Sequence, residues 1–185
     1  FGIEFDEGPI SETEARGDYG PYIQSERKDI YQCYAKWLIE RGLAYPCFCT
    51  AEELDLIRER QEKLKIVPGY YGEFATCRKL SEQQMIERVK NGDPYIIRLK
   101  SPGSASRKIK FKDMIRGTIE FPENIQDVVI IKSDGLPTYH FAHAVDDHLM
   151  RTTHVIRGEE WISSVPLHVQ LFQVLGFEMP QYIHT

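Results

Sequence analysis

The sequence predicts an α/β chain interrupted by an α+β insertion, and three observations carry that reading. An apolar stripe at helical spacing fills residues 25–41, and a pair of capped helices is then followed by clustered strands. From residue 133 strand and helix alternate again. A change of element order of this kind marks a unit set into an alternating one. It divides the chain into an opening segment, 1–45, a middle segment, 46–132, and a closing segment, 133–185.

The opening segment starts with a loop rich in glycine and acids. Its helix is expected over residues 25–41, stopped by Gly42, with Ile30, Tyr34, Trp37 and Leu38 on one face. Cys33 lies beside that stripe and reads as a packing residue. In the middle segment Thr50 and Glu53 form a capping box for a helix reaching about Lys65. Ser81 and Gln84 form a second, whose helix ends at Asn91-Gly92. Strand-like runs follow at 95–100, 108–111, 118–121 and 128–132. In the closing segment His154, Val155 and Ile156 favour a strand, and Arg157-Gly158 breaks it. A last helix is expected from Pro166 to Leu175, ended by Gly176.

Composition narrows the function classes. With 185 residues, 42% of them hydrophobic and 28% charged, the chain can bury a real core. No apolar run approaches the roughly 18 residues that span a bilayer, and no signal peptide is visible. Phe1 in place of an initiator Met is what an internal segment would show. Four unevenly spaced cysteines do not resemble a secreted disulfide framework, so a reduced, cytoplasmic protein is expected. A net charge of −5 argues against indiscriminate nucleic-acid binding and leaves room for a local basic face.

Several groups of residues could carry chemistry. Ligands of open α/β sheets sit outside the carboxyl ends of strands, so Arg157, Glu160 and Trp161 should line a crevice. A guanidinium can clamp a carboxylate or phosphate, and an indole can cover a base or an aliphatic chain. Arg98, Lys100, Arg107, Lys108, Lys110, Lys112 and Arg116 crowd one stretch, with Asp113 the only acid among them. Strand alternation would put several of these cations on one face, open to phosphates. Without a ligand, the same run would be a solvated sheet face. Cys47 and Cys49, with Cys77 much later, could place thiolates on one ion. His143 and Asp147 stand one helical turn apart, which would permit two metal donors on one face, but His140, His143 and His148 with Asp146 and Asp147 are not taken as a metal cluster.

The segments KSDGLPTYHFAHAVDDHLM and THVIRGEEW, with FDEGP, GPYIQSER and YIIRLK upstream, resemble bacterial-type glutamyl-tRNA synthetases, which are class I aminoacyl-tRNA synthetases. The likeness covers essentially the whole chain. It implies a Rossmann-like nucleotide-binding fold interrupted by a connective insertion that binds the tRNA acceptor stem. It also implies a glutamate–tRNA ligase, which uses ATP with Mg²⁺ to make glutamyl-adenylate and passes the glutamyl group to the tRNA 3′ end. By the same resemblance Tyr139 faces the glutamate side chain, and Arg157 binds the amino acid's carboxylate. His143 stands where some relatives have Asn, and Glu160 and Trp161 lie beside ATP.

The implied partners are glutamate, ATP and a glutamate-accepting tRNA, without membrane or DNA. No HIGH or KMSK string occurs, so the chain should correspond to the middle of such an enzyme and be inactive alone. Many relatives follow the C-x-C pair with C-x-H or C-x-Y, whereas Lys79 stands two after Cys77 here, which argues against stoichiometric zinc; Tyr70, Tyr71 or a water could substitute, and nothing in the spacing selects one. Two other readings stay open: a glutamyl-queuosine tRNA synthetase-like paralogue, and a non-catalytic RNA-binding module built from synthetase parts.

Overall fold

The computed structural model describes residues 5–185; residues 1–4 of the expected opening segment, with Phe1, lie outside the described residues. A short antiparallel ladder, β1 (Gly8–Pro9) with β2 (Ala15–Arg16), precedes a 3-10 turn at Gln24–Arg27 and helix α1 (Lys28–Glu40). The helix buries Tyr31, Ala35 and Leu38 and packs Ile30, Tyr34 and Trp37 partly against the same core. Cys33 is exposed, which corrects its expected packing role. It lies two residues from both Tyr31 and Ala35, about 200° around the helix from each, so it faces away from the buried stripe.

Strand β3 (Ala44–Cys47) leads into α2 (Ala51–Lys63), and α3 (Glu82–Lys90) follows. Both predicted capping boxes are present: the Glu53 N–H donates to Thr50 Oγ1 at 3.3 Å, and the Gln84 N–H to Ser81 Oγ at 3.2 Å. Then come β4 (Ile96–Leu99), the hairpin β5 (Lys108–Asp113) and β6 (Gly117–Pro122), and β7 (Val129–Ile131). Strands β3, β4 and β7 form an antiparallel sheet with β4 in the middle.

The closing segment is α4 (Tyr139–Leu149), β8 (His154–Arg157), α5 (Val165–Leu175) and β9 (Gln181–His184). Gly176 ends α5 in the left-handed conformation at φ 70°, which a residue with a Cβ adopts only with strain. Strand β8 pairs β9 in parallel over four residues, from His154↔Gln181 to Arg157↔His184. Strand β9 also pairs β5 in parallel through Asp113↔Tyr182, giving a sheet in the order β6-β5-β9-β8.

One core gathers Tyr31 and Leu38 from α1, Leu99 from β4, Ile130 from β7, Phe141 and Val145 from α4, and Leu171 and Phe172 from α5. Each such side chain contributes about 1.5–3 kcal/mol through burial. All three stretches of sequence feed this core, and a second cluster of Phe111, Val165 and Tyr182, with Val155 partly buried against it, packs β5, β8 and β9 against α5. Among the described residues no helix is long and apolar enough to cross a membrane.

Candidate functional site

Strand β8 alternates, with Val155 and Arg157 turned inward and His154 and Ile156 outward. The chain leaves the strand at Gly158, and a 3-10 turn at Glu159–Ser164 brings Trp161 back beside Arg157. The first turns of α4 present Tyr139, His140 and His143; α5 adds His168, and β9 adds Tyr182 and His184. These residues meet at the carboxyl ends of the two parallel strands, where ligands of open α/β sheets bind.

The rings form a wall. Tyr139 and Trp161 lie 4.7 Å apart between centroids, and Tyr139 is parallel to His143 at 6.1 Å. The Arg157 guanidinium lies 4.7 Å from the Tyr182 ring centre and 5.7 Å from that of Trp161. Its Nε donates to His184 Nε2 at 3.0 Å and its Nη2 to His168 Nδ1 at 3.1 Å. Nη1 is buried and has no hydrogen-bond partner among the described residues. A buried cationic N–H left open in this way is costly unless an anion arrives.

The Nε2 of His143 lies 2.7 Å from the Tyr182 hydroxyl. Its Nδ1 approaches Asp147 Oδ2 at 3.2 Å, but outside hydrogen-bond geometry, so that oxygen stays unpartnered. Burial, reinforced by the nearby Arg157 charge, pulls His143 down to about 4, and burial pushes Asp147 up to about 6. His143 is therefore neutral at pH 7, and the pair is not a salt bridge there. Burial also pulls Arg157 and His168 below their ordinary values.

Of the residues expected at the crevice, Tyr139, His143, Arg157 and Trp161 come together. Glu160 is exposed at the rim, its carboxylate folded over Gly158 into space that a Cβ would take. Sequence reasoning missed His168, Tyr182, His184 and Asp113. His168 looks like one of several polar residues, with Gln170 and Gln173, on a largely apolar helix, and no local spacing links the others to Arg157.

The basic stretch divides. Lys108, Lys110 and Lys112 share the exposed face of β5, alternating with the inward Ile109, Phe111 and Asp113. Acids answer several of the cations: Lys108 pairs with Glu120 at 2.7 Å, Arg107 with Glu123 at 2.8 Å, and Arg116 with Glu159 at 2.7 Å. Lys100 is half-buried. Arg98 does not join the face. It lies on the central strand of its sheet, is buried, donates to the Asp127 carbonyl at 2.9 Å and sits 4.2 Å from the Tyr70 ring centre.

The Sγ atoms of Cys47, Cys49 and Cys77 all lie within 4.8 Å of one another, with Cys49 and Cys77 at 3.5 Å. Thiolates on one tetrahedral zinc stand about 3.8 Å apart, so the trio fits such an ion. Lys79 points away, its ammonium donating to the Glu73 carbonyl, but the Tyr70 hydroxyl lies 3.2 Å from Cys49 Sγ and offers a fourth donor. Hydrogen bonds from Cys49 and Cys77 hold the Cys47 thiol below its ordinary value, while contacts with Cys47 and Cys77 push Cys49 up and burial pushes the Tyr70 hydroxyl up, so the metal-free cluster favours a single thiolate. A separate apolar cavity of about 760 Å³ lies between α1, α3 and the antiparallel sheet, and none of the crevice residues lines it.

Residues 2–185 match the family of class I tRNA synthetases (E and Q), catalytic domain. The chain is 62% identical over 184 residues to a glutamate–tRNA ligase of Clostridium beijerinckii, covering all of this chain and 33% of that protein. A glutamate–tRNA ligase of Acetivibrio thermocellus is 49% identical over 185 residues, again over all of this chain and 34% of the relative. A glutamate tRNA ligase from Elizabethkingia meningosepticum, solved in complex with its amino acid, superposes with a TM-score of 0.82 at 42% identity. That match covers 91% of this chain and 34% of the solved one. The chain thus spans about a third of the length of the relatives it matches. With residues 2–185 inside one family and the parallel strands ending in a shared crevice, the chain belongs to the class I tRNA synthetases (E and Q), as part of their catalytic domain.

Proposed function

We propose that the protein carrying this chain is a glutamate–tRNA ligase, and that the crevice at the ends of β8 and β9 takes glutamate and ATP. The observation that supports this most is Arg157, whose Nη1 is buried and unpartnered while its other nitrogens are held. A guanidinium so placed suits a carboxylate, and a charge-assisted hydrogen bond of that kind is worth about 1.5–3 kcal/mol. Tyr139 and His143 face the amino acid. Trp161 and the rim residue Glu160 flank the nucleotide, which enters as its Mg²⁺ complex.

The reaction has two steps, an adenylyl transfer to glutamate and then an acyl transfer to the tRNA. The glutamate α-carboxylate attacks the ATP α-phosphorus; the bond to the bridging oxygen breaks, and pyrophosphate leaves. A terminal ribose hydroxyl of the tRNA then attacks the acyl carbonyl, and AMP leaves. No side chain here needs to act as a nucleophile. These residues supply positioning and electrostatic stabilisation. The Lys108, Lys110 and Lys112 face of the insertion hairpin suits acceptor-stem phosphates, contacts that position RNA without reading its bases. Zinc held by Cys47, Cys49, Cys77 and Tyr70 would brace the start of the insertion and take no part in either step.

The test is aminoacylation by a full-length chain containing this segment, supplied with ATP, Mg²⁺, labelled glutamate and tRNA. Glutamyl-tRNA, AMP and pyrophosphate in equal amounts are expected. RNA binding without any acylated product would instead favour a non-catalytic module.

A further inference from the structure

Arg157 is held in an unusual way: both partners of its guanidinium are imidazoles rather than carboxylates. An arginine only donates, so each ring must present a bare nitrogen to it. His184 must be bare at Nε2 and His168 at Nδ1. The other nitrogen of each ring has a partner that agrees. His184 Nδ1 lies 2.7 Å from Asp113 Oδ2, a carboxylate oxygen that accepts, so the His184 proton belongs on Nδ1. The same oxygen accepts the His184 backbone N–H at 3.1 Å, which fixes the ring's approach. His168 Nε2 lies 2.8 Å from His140 Nδ1, so His168 carries its proton on Nε2 and donates it. One assignment of protons therefore satisfies the whole relay.

Both imidazoles are fully buried, with 0% exposure, and neither belongs to the strand that carries Arg157. Tyr182 covers one side of the guanidinium, and Asp147 acts on it only through space. A carboxylate in place of either histidine would neutralise the cation and compete with an incoming anion. Two neutral acceptors fix the guanidinium and leave it without a carboxylate at hydrogen-bond distance.

We propose that His168 and His184 are positioning residues which, as neutral acceptors of defined tautomer, hold Arg157 with its charge reserved for an amino-acid carboxylate. Asp113, at the end of the insertion hairpin, sets the His184 tautomer. The substrate half of this statement rests on the glutamate reading above; the tautomer half does not.

Two measurements separate these halves. Long-range ¹H–¹⁵N spectra of this chain labelled at histidine should show His184 protonated at Nδ1 and His168 at Nε2, both singly protonated at neutral pH. The opposite tautomer at either ring, or a doubly protonated His168, overturns the proposal.

In a full-length chain, His168→Leu should raise the KM for glutamate on the order of tenfold, the loss expected for one charge-assisted hydrogen bond. The KM for ATP should hold. His168→Gln, whose amide oxygen can accept from Arg157, should recover most of the loss. Wild-type glutamate KM values in both variants, with unchanged thermal melting, contradict the positioning role. The spectra are taken on the unmodified chain, so they decide the tautomer question even where a variant fails to fold. If Arg157→Lys itself leaves the glutamate KM unchanged, the substrate reading fails while the tautomer assignment stands.

Discussion

His143 shows how burial turns one side chain into a pH-dependent element. It packs between Tyr139, His168 and Tyr182, and burial with the Arg157 charge lowers it from 6.5 to about 4. The folded chain then binds fewer protons at this site than the unfolded one. Its contribution to stability is complete above about pH 6.5 and is lost as pH falls toward 4. Asp147 runs the other way: raised to about 6, it favours the fold below the ordinary carboxylate range and loses that as pH rises through 6. His143→Asn keeps hydrogen bonding and removes the titration. Urea melts at pH 7.5 and pH 4 should show the wild type losing on the order of 3 kcal/mol more than the variant. Parallel pH profiles would show that the ring is not desolvated as described.

At the level of elements, local chemistry was the legible part. Thr50 with Glu53, and Ser81 with Gln84, mark helix starts because the reciprocal cap needs only residues three apart. The β8 run and its break at Arg157-Gly158 were equally plain, and they put Arg157 and Trp161 in the crevice. Sheet partnership was not legible. The β5–β9 pairing joins Asp113 to Tyr182, and Asp113 meets His184 across 71 residues of sequence, a relation that no periodicity encodes.

Arg98 was misjudged for a related reason. Alternation shows that a strand has two faces, and only the fold shows that both faces of β4 are covered, with Arg98 lying under the Tyr70 ring. The cysteine trio had the same gap. The linear pattern leaves Tyr70, Tyr71 or a water open where Lys79 stands, and the fold brings the Tyr70 hydroxyl to 3.2 Å from Cys49 Sγ. Elemental analysis of protein purified without chelators should therefore find about one zinc per chain, the ratio for a four-donor structural site. Tyr70→Phe should retain it less well on dialysis against a chelator. Metal-free protein in which all four thiols react freely, the trio as well as the exposed Cys33, would remove the site.

Across the whole molecule the opening, middle and closing stretches are tied together by shared core and by buried polar contacts. Arg27 bonds Asp146 at 2.9 Å, and the Tyr31 hydroxyl donates to the same carboxylate at 2.7 Å, linking α1 and the turn before it to α4. The hairpin that presents Lys108, Lys110 and Lys112 also carries Asp113, which faces the crevice. Lys110 and Lys112 have no acid at ion-pair distance among the described residues, unlike Lys108, so they are the better probes of RNA contact. Lys110→Glu with Lys112→Glu should weaken binding of acceptor-stem minihelices by similar factors for different stem sequences. The salt dependence should also fall by about one unit of slope per lysine. Binding that ignores both salt and charge reversal would place the RNA on another surface.

The central claim is that Arg157 receives a carboxylate of glutamate, and its most direct test is Arg157→Lys in a full-length chain. Lysine keeps the charge but its three donors radiate from one nitrogen, so it cannot reproduce the planar fork in which Nε, Nη2 and Nη1 meet His184, His168 and a ligand separately. Steady-state aminoacylation with glutamate and ATP varied in turn should show kcat/KM for glutamate down by about 100-fold, with the KM for ATP little changed. Near-normal glutamate kinetics, or a loss confined to ATP, would contradict the account.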